Sequence, residues 1–256
     1  MARLNPAVMR ALDILELVMR SEEPLTLREL TEALDLPRTT TFELVTTLVA
    51  RGYLAKSERE PARFSLGVRT FQLGSAFANH LDYVDLGRAA SRALSEQSAE
   101  TSHVAVLDGT DVVYIARTES RQKVRMVSHV GSRLPAYATA VGKALLAQLT
   151  ADELRSRFPP GALTRLTEKT IATPAQLLRE MELVRERGYA IEECESNVGV
   201  CCAAAVVRDH LGRAVAAISV SVPENRWSAH PNDYWTSLVT SAASEYSRSL
   251  GYEPPR

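Results

Sequence analysis

Apolar positions recur at helical spacing through the first quarter of the chain and at strand spacing through much of the rest. Behind Asn5-Pro6, a capping residue followed by the proline favoured at a first helical position, Val8, Leu12, Leu15 and Val18 mark one helix face. Thr26-Leu27-Arg28-Glu29 carries the residues of a capping box, and Leu27, Leu30 and Leu34 supply the apolar stripe that follows. A third helix restarts at Pro37 with Thr41, Leu44, Val45 and Leu48 inward, which leaves Arg38, Thr39, Phe42, Glu43 and Thr46 outward until Gly52 stops it. Residues 53–55 and 63–66 are short strand candidates around a charged tip at 56–62. The order is helix, helix, turn, helix, hairpin.

Residues 67 to about 100 read as two helical pieces broken near 82–85. The period then changes to that of strands. Residues 103–107 and 112–115 flank Asp108-Gly109 as a hairpin, and 123–130 is a third strand candidate. A loop holding Gly131 and Pro135 leads into a helix that starts at 139. Helices at 151–157 and 174–187, strands at 189–193, 200–208 and 214–222, and a closing helix at 231–249 complete the pattern. Strands in two runs with helices between and after them predict an α+β domain on one antiparallel sheet.

Charge sharpens the reading of the first part. Residues 37–66 hold Arg38, Arg51, Lys56, Arg59 and Arg63 against Glu43, Glu58 and Glu60, whereas residues 1–36 hold four arginines against seven acids. Positive charge thus gathers on the third helix and hairpin, although the whole chain has a formal charge of −1. A helix pair followed by a charged hairpin is the winged helix-turn-helix pattern. Arg38, Thr39, Thr40 and Phe42 stand where base edges and phosphates would be met, with Arg59 and Arg63 in the wing. The competing account is a small helical domain that makes protein contacts only.

In the second part, Tyr137-Ala138-Thr139-Ala140-Val141-Gly142-Lys143 puts small residues where a loop enters a helix, a place where free amides attract anions. Ser219 and Ser221 share one face of their strand, and Cys202 lies on the strand before it. A two-residue connection at 209–212 would set Cys202 opposite one of the serines. A three-residue connection with Gly212 in a bulge would shift that register. The alternative is that the serines satisfy local backbone and Cys202 packs as a small hydrophobe. The five histidines fall at no motif spacing, and no metal-ligand or phosphate-loop pattern is present, so neither metal nor cofactor is expected. No apolar run approaches the ~20 residues of a membrane span. Three cysteines, two of them adjacent, fit a reducing cytoplasm better than a disulfide framework.

Taken in order, these stretches resemble the isocitrate-lyase-regulator (IclR) family of bacterial transcription factors over about residues 6–253. The resemblance rests on 10–15 (RALDIL), 34–40 (LDLPRTT), 52–54 (GYL), 64–67 (FSLG), 138–147 (ATAVGKALLA), 188–190 (GYA), 199–205 (GVCCAAA) and 217–221 (AISVS). It implies a winged helix-turn-helix domain at 1–66, a linker helix at 67–82 and a GAF-like effector-binding domain at 83–256. It further implies a homodimer or homotetramer on double-stranded operator DNA, and a small organic acid as effector. By position, the effector would meet the Ala140 and Val141 amides, Glu192, Cys202, Ser219 and Ser221, with Met126 and Leu134 as apolar wall. The sequence departs from the family pattern at Glu43, where arginine is common, at Glu192, where aspartate is common, and at Val206, where proline is usual. Repression relieved by ligand is the expected sign, with activation as the alternative. The rival from another class is a ligand-processing enzyme with Cys202 as nucleophile.

Overall fold

The computed structural model describes residues 4–58, 60–79, 82–120, 122 and 129–253. Arg59, Met126 and nearly all of the strand expected at 123–130 lie outside the described residues. The chain forms two compact units, residues 1–81 and 82–256.

The first unit contains α1 (Pro6–Arg20), β1 (Leu25–Thr26), α2 (Leu27–Leu34), α3 (Arg38–Ala50), β2 (Leu54–Lys56), β3 (Arg63–Leu66) and α4 (Val68–Asn79). Its caps follow from the sequence. The Asn5 side chain accepts from the amides of Ala7 and Val8, and Thr26 and Glu29 close a reciprocal capping box. Asp35 ends α2 in the left-handed conformation that short polar side chains tolerate, which makes the tight turn into α3. Ile14, Val18, Leu30, Val45, Leu48, Leu54 and Phe64 form the core. The stripe expected on α1 is partly displaced: Val18 is buried, but Val8 and Leu12 are 55% and 49% exposed. Helix α1 is apolar on more than one face, and the face centred on Ile14 packs inward. Two-residue β1 also joins the hairpin, with Leu25 opposite Phe64, so the small sheet has three strands in the order β1-β3-β2.

The second unit opens with α5 (Asp82–Ser98) and the hairpin β4 (Thr101–Asp108) and β5 (Asp111–Thr118). Beside β5 runs β6 (Arg133–Pro135), followed by a 3-10 turn at Ala136–Ala138 and α6 (Ala140–Leu146). Then come α7 (Ala151–Arg157), α8 (Pro174–Arg187), β7 (Ala190–Glu193), β8 (Val200–Arg208), β9 (Ala214–Pro223), α9 (Glu224–Trp227) and α10 (Asn232–Ser249). The sheet is antiparallel in the order β6-β5-β4-β9-β8-β7. Because strand side chains alternate, it has two apolar faces. Ala105, Val112, Tyr114, Cys202, Ala204 and Ala217 pack under α6, α7 and α8. Helices α5 and α10 pack on the other face, where Gly87 lets α5 approach Tyr246 and Val104.

Candidate DNA-reading helix and effector site

Helix α3 begins at Pro37, which offers no capping side chain, so its first-turn amides are left to an outside acceptor. Thr41, Val45 and Leu48 anchor it in the core. Arg38, Thr39, Glu43 and Thr46 face solvent, Thr40 is half-buried, and Phe42 is 58% exposed. Arg63 is tied back. Its guanidinium donates to the Pro24 carbonyl at 2.7 Å and lies 3.8 Å from the Glu29 carboxylate, with its side chain still nearly half-exposed.

In the second unit the decisive feature is register. Asp209 pairs with Arg213 around a three-residue turn that needs Gly212 at φ +77°. That turn alone would set Cys202 opposite Val220. An irregularity at Val207/Arg208 shifts the pairing by one residue, so Cys202 lies opposite Ser221 and Ala204 opposite Ser219. On the outer side Cys202 faces Glu192 across β7, and on the inner side Ser219 faces His103 across β4. Two adjacent rows of one sheet face therefore gather Glu192, Cys202, Ser221, Ser219 and His103. The Cys202 thiol donates to Ser221 Oγ at 3.2 Å, and Ser221 Oγ lies 3.4 Å from His103 Nδ1. His103 is thus part of the cluster, and the Tyr114 ring stands 4.8 Å from it.

Electrostatics follow from burial. Desolvation, then the Glu192 carboxyl, pushes the Cys202 thiol well above its ordinary value. Desolvation and Arg117 hold His103 down to about 3, so the ring is neutral. Burial also raises the Glu192 carboxyl, against the amides of Glu195 and Ser196, both of which donate to its Oε1. Glu192 Oε2 is buried with no hydrogen-bond partner.

Ala140 and Val141 stand in the first turn of α6, where the amides have no intrahelical acceptor; Thr139 Oγ1 takes the next one, from Gly142. Gly142 is required there, since a Cβ would fall 2.1 Å from the Ala136 carbonyl oxygen. Helix α6 packs on β8, β9 and β4, which brings its first turn to the same layer as the polar rows. Leu134 is half-buried against this core. Among the described residues no group of histidine, cysteine or carboxylate side chains could hold a metal ion. No described helix is long and apolar enough to cross a membrane.

Comparison with known proteins agrees with this architecture. The model of the IclR helix-turn-helix domain matches residues 7–58, and that of the bacterial transcriptional regulator IclR C-terminal domain matches 76–248. The HTH-type transcriptional repressor AllR of Salmonella typhimurium is 34% identical over 249 residues, covering 97% of this chain and 91% of that protein. The HTH-type transcriptional regulator KdgR of Escherichia coli is 31% identical over 246 residues, covering 96% and 93%. The crystal structure of Thermotoga maritima IclR superposes with a TM-score of 0.77 at 27% identity, covering 96% of this chain and 98% of that one. The chain belongs to the IclR family and is a DNA-binding transcriptional regulator.

Proposed function

We propose that the protein represses transcription by docking α3 in the major groove of an operator and is released when a small organic acid binds the second unit. Arg38, Thr39, Thr40 and Phe42 read the groove, and Arg59 and Arg63 touch phosphate or the minor groove from the wing. The uncapped, solvent-facing start of α3 carries this reading, because free amides and an adjacent guanidinium suit a phosphate backbone. The name of the AllR relative supports repression as the sign.

The effector site comprises the Ala140 and Val141 amides, Glu192, Cys202, Ser219 and Ser221, with Leu134 and Met126 as wall. The helix-start amides suit a carboxylate. The unmatched Glu192 Oε2 suits a hydroxyl or N–H on the same molecule. Binding acts on transcription only through its differential affinity for two arrangements of the protein, with residues 67–82 as the connecting helix. A second copy of the chain covers the apolar outer face of α1, where Val8, Leu12 and Met19 are exposed.

Cys202 serves as a hydrogen-bonding wall and not as a nucleophile, since a thiol pushed well above its ordinary value carries almost no thiolate near neutral pH. One experiment tests the assignment. Fluorescence anisotropy follows operator DNA while a panel of small carboxylates is added to the wild type and to a Cys202→Ala/Ser219→Ala variant. A carboxylate that releases DNA from the wild type and not from the variant supports the site. An equal response in both removes it, and rapid alkylation of Cys202 by iodoacetamide at pH 7 restores the enzyme reading.

A further inference from the structure

Lys143 is the most deeply buried cation among the described residues. It sits one turn beyond Ala140 on α6, with its side chain 2% exposed. Its ammonium donates to Glu195 Oε1 at 2.6 Å and lies 3.6 Å from Glu180, which is itself held by Arg187 at 2.8 Å. Taking such a pair out of water costs more than an exposed pair does and often gives no net stability over apolar packing, so position is the better reason for it. What it positions is visible in the chain that follows. Glu195 and Ser196 lead out of β7, and their two amides hold Glu192 Oε1. Glu192 faces Cys202, Cys202 donates to Ser221, and Ser221 reaches His103. A continuous run of contacts therefore passes from α6, whose first turn supplies one wall of the proposed site, round to the sheet that supplies the other.

We propose that Lys143 and Glu195 are positioning residues for the effector: their ion pair holds the turn after β7 so that the amides at 195 and 196 fix Glu192 in its place on the polar wall. This rests on the effector site proposed above. The pair acts through Glu192 and sets how strongly the wall is preorganised for a ligand hydroxyl or N–H. The competing tie is also present: Thr170 Oγ1 donates to the Glu195 carbonyl at 2.6 Å, and Thr167 Oγ1 to the Cys194 carbonyl at 2.6 Å. If those two threonines suffice, the ion pair is dispensable.

The test replaces both charges together by Lys143→Met/Glu195→Leu, which leaves no uncompensated buried charge, and compares it with Glu195→Gln, which keeps a hydrogen bond to Lys143. Amide hydrogen exchange by NMR needs no ligand. The expected result is at least tenfold faster exchange at positions 195 and 196 in the double variant, with β8 and β9 amides unchanged, and recovery of most of the protection in Glu195→Gln. Calorimetric titration with sodium pyruvate, sodium succinate and sodium 4-hydroxybenzoate forms the second arm. Any of these that binds the wild type should bind the double variant at least tenfold more weakly and Glu195→Gln within about threefold of wild type. Unchanged exchange at 195 and 196 overturns the proposal whatever the titrations show. Faster exchange with unchanged ligand affinity overturns the link to the effector and leaves a structural tie. Should no probe bind the wild type, the choice of ligand class fails, and the exchange result still decides whether the pair positions the turn.

Discussion

The first unit buries a single polar residue among its described positions, Thr41, whereas the second buries Lys143, His103, Glu192, Ser219 and Ser221. The difference matches how each would meet its partner. Helix α3 shows its chemistry to solvent from a footing that is apolar but for Thr41, whose hydroxyl donates to the Pro37 carbonyl, so its outward polar side chains stay hydrated while it is free. The sheet cluster encloses its chemistry, so each polar group must find a partner within the fold or be left for a ligand. An open reader can therefore be altered at its surface with little effect on folding, while the enclosed site is inseparable from the packing that surrounds it.

The substitution expected to strain that packing most is Gly142→Ala. The added methyl would meet the Ala136 carbonyl at 2.1 Å, and overpacking of this kind costs about 1–3 kcal/mol or more. Calorimetry should show a melt lowered by several degrees together with loss of effector response; an unchanged melt would mean that the turn at 136–138 moves aside freely. On the open side, Arg38→Ala should weaken operator binding by roughly 1–3 kcal/mol, about five- to 150-fold, with the melt unchanged. If its melt fell as far as that of Gly142→Ala, the contrast between the two units would collapse.

Acid should separate the units in another way. His103 titrates at about 3 in the folded chain against an ordinary 6.5, so below pH 6.5 the unfolded chain takes up a proton that the folded one refuses. Stability from this residue is complete above about pH 6.5 and is lost as pH falls toward 3, on the order of 2 kcal/mol between pH 6.5 and 5. Urea melts at pH 7 and 5 should show that loss, and His103→Gln should flatten it. An equal pH slope in the variant would place the acid sensitivity elsewhere. The smallest effect is expected at Thr26→Ala, which removes the capping box of α2 and should cost about 1 kcal/mol with little change in effector response.

The open reader was the more legible of the two in sequence. Caps are local, so Asn5-Pro6, Thr26–Glu29 and Gly52 give α1, α2 and the end of α3 directly, and the outward set on α3 follows from its stripe. The inward face of α1 was less legible, because Ile14 and Leu12 are equally apolar and only packing chooses between them. In the second unit α7, α8 and β8 fall where their periodicity and caps put them. His103 could approach the sheet from its strand, but its place opposite Ser219 depends on which strands become neighbours, and the Lys143–Glu195 pair joins residues 52 apart that no local pattern links. A titratable residue in an apolar strand is the signal that marks His103, and register then sets it opposite Ser219.

The hairpin between β8 and β9 places a parity condition on the gene. Its three-residue turn and its one-residue bulge each reverse the facing of every residue beyond them, and only together do they return Cys202 and Ser221 to the same side. A single codon gained or lost in the turn would part Cys202 from Ser221: with β9 held against β4, Ser221 would keep its face while Cys202 turned toward α5 and α10. Length changes here are neutral to the site only when they come in compensating pairs, so a drifting sequence can vary the residues of this loop far more readily than their number.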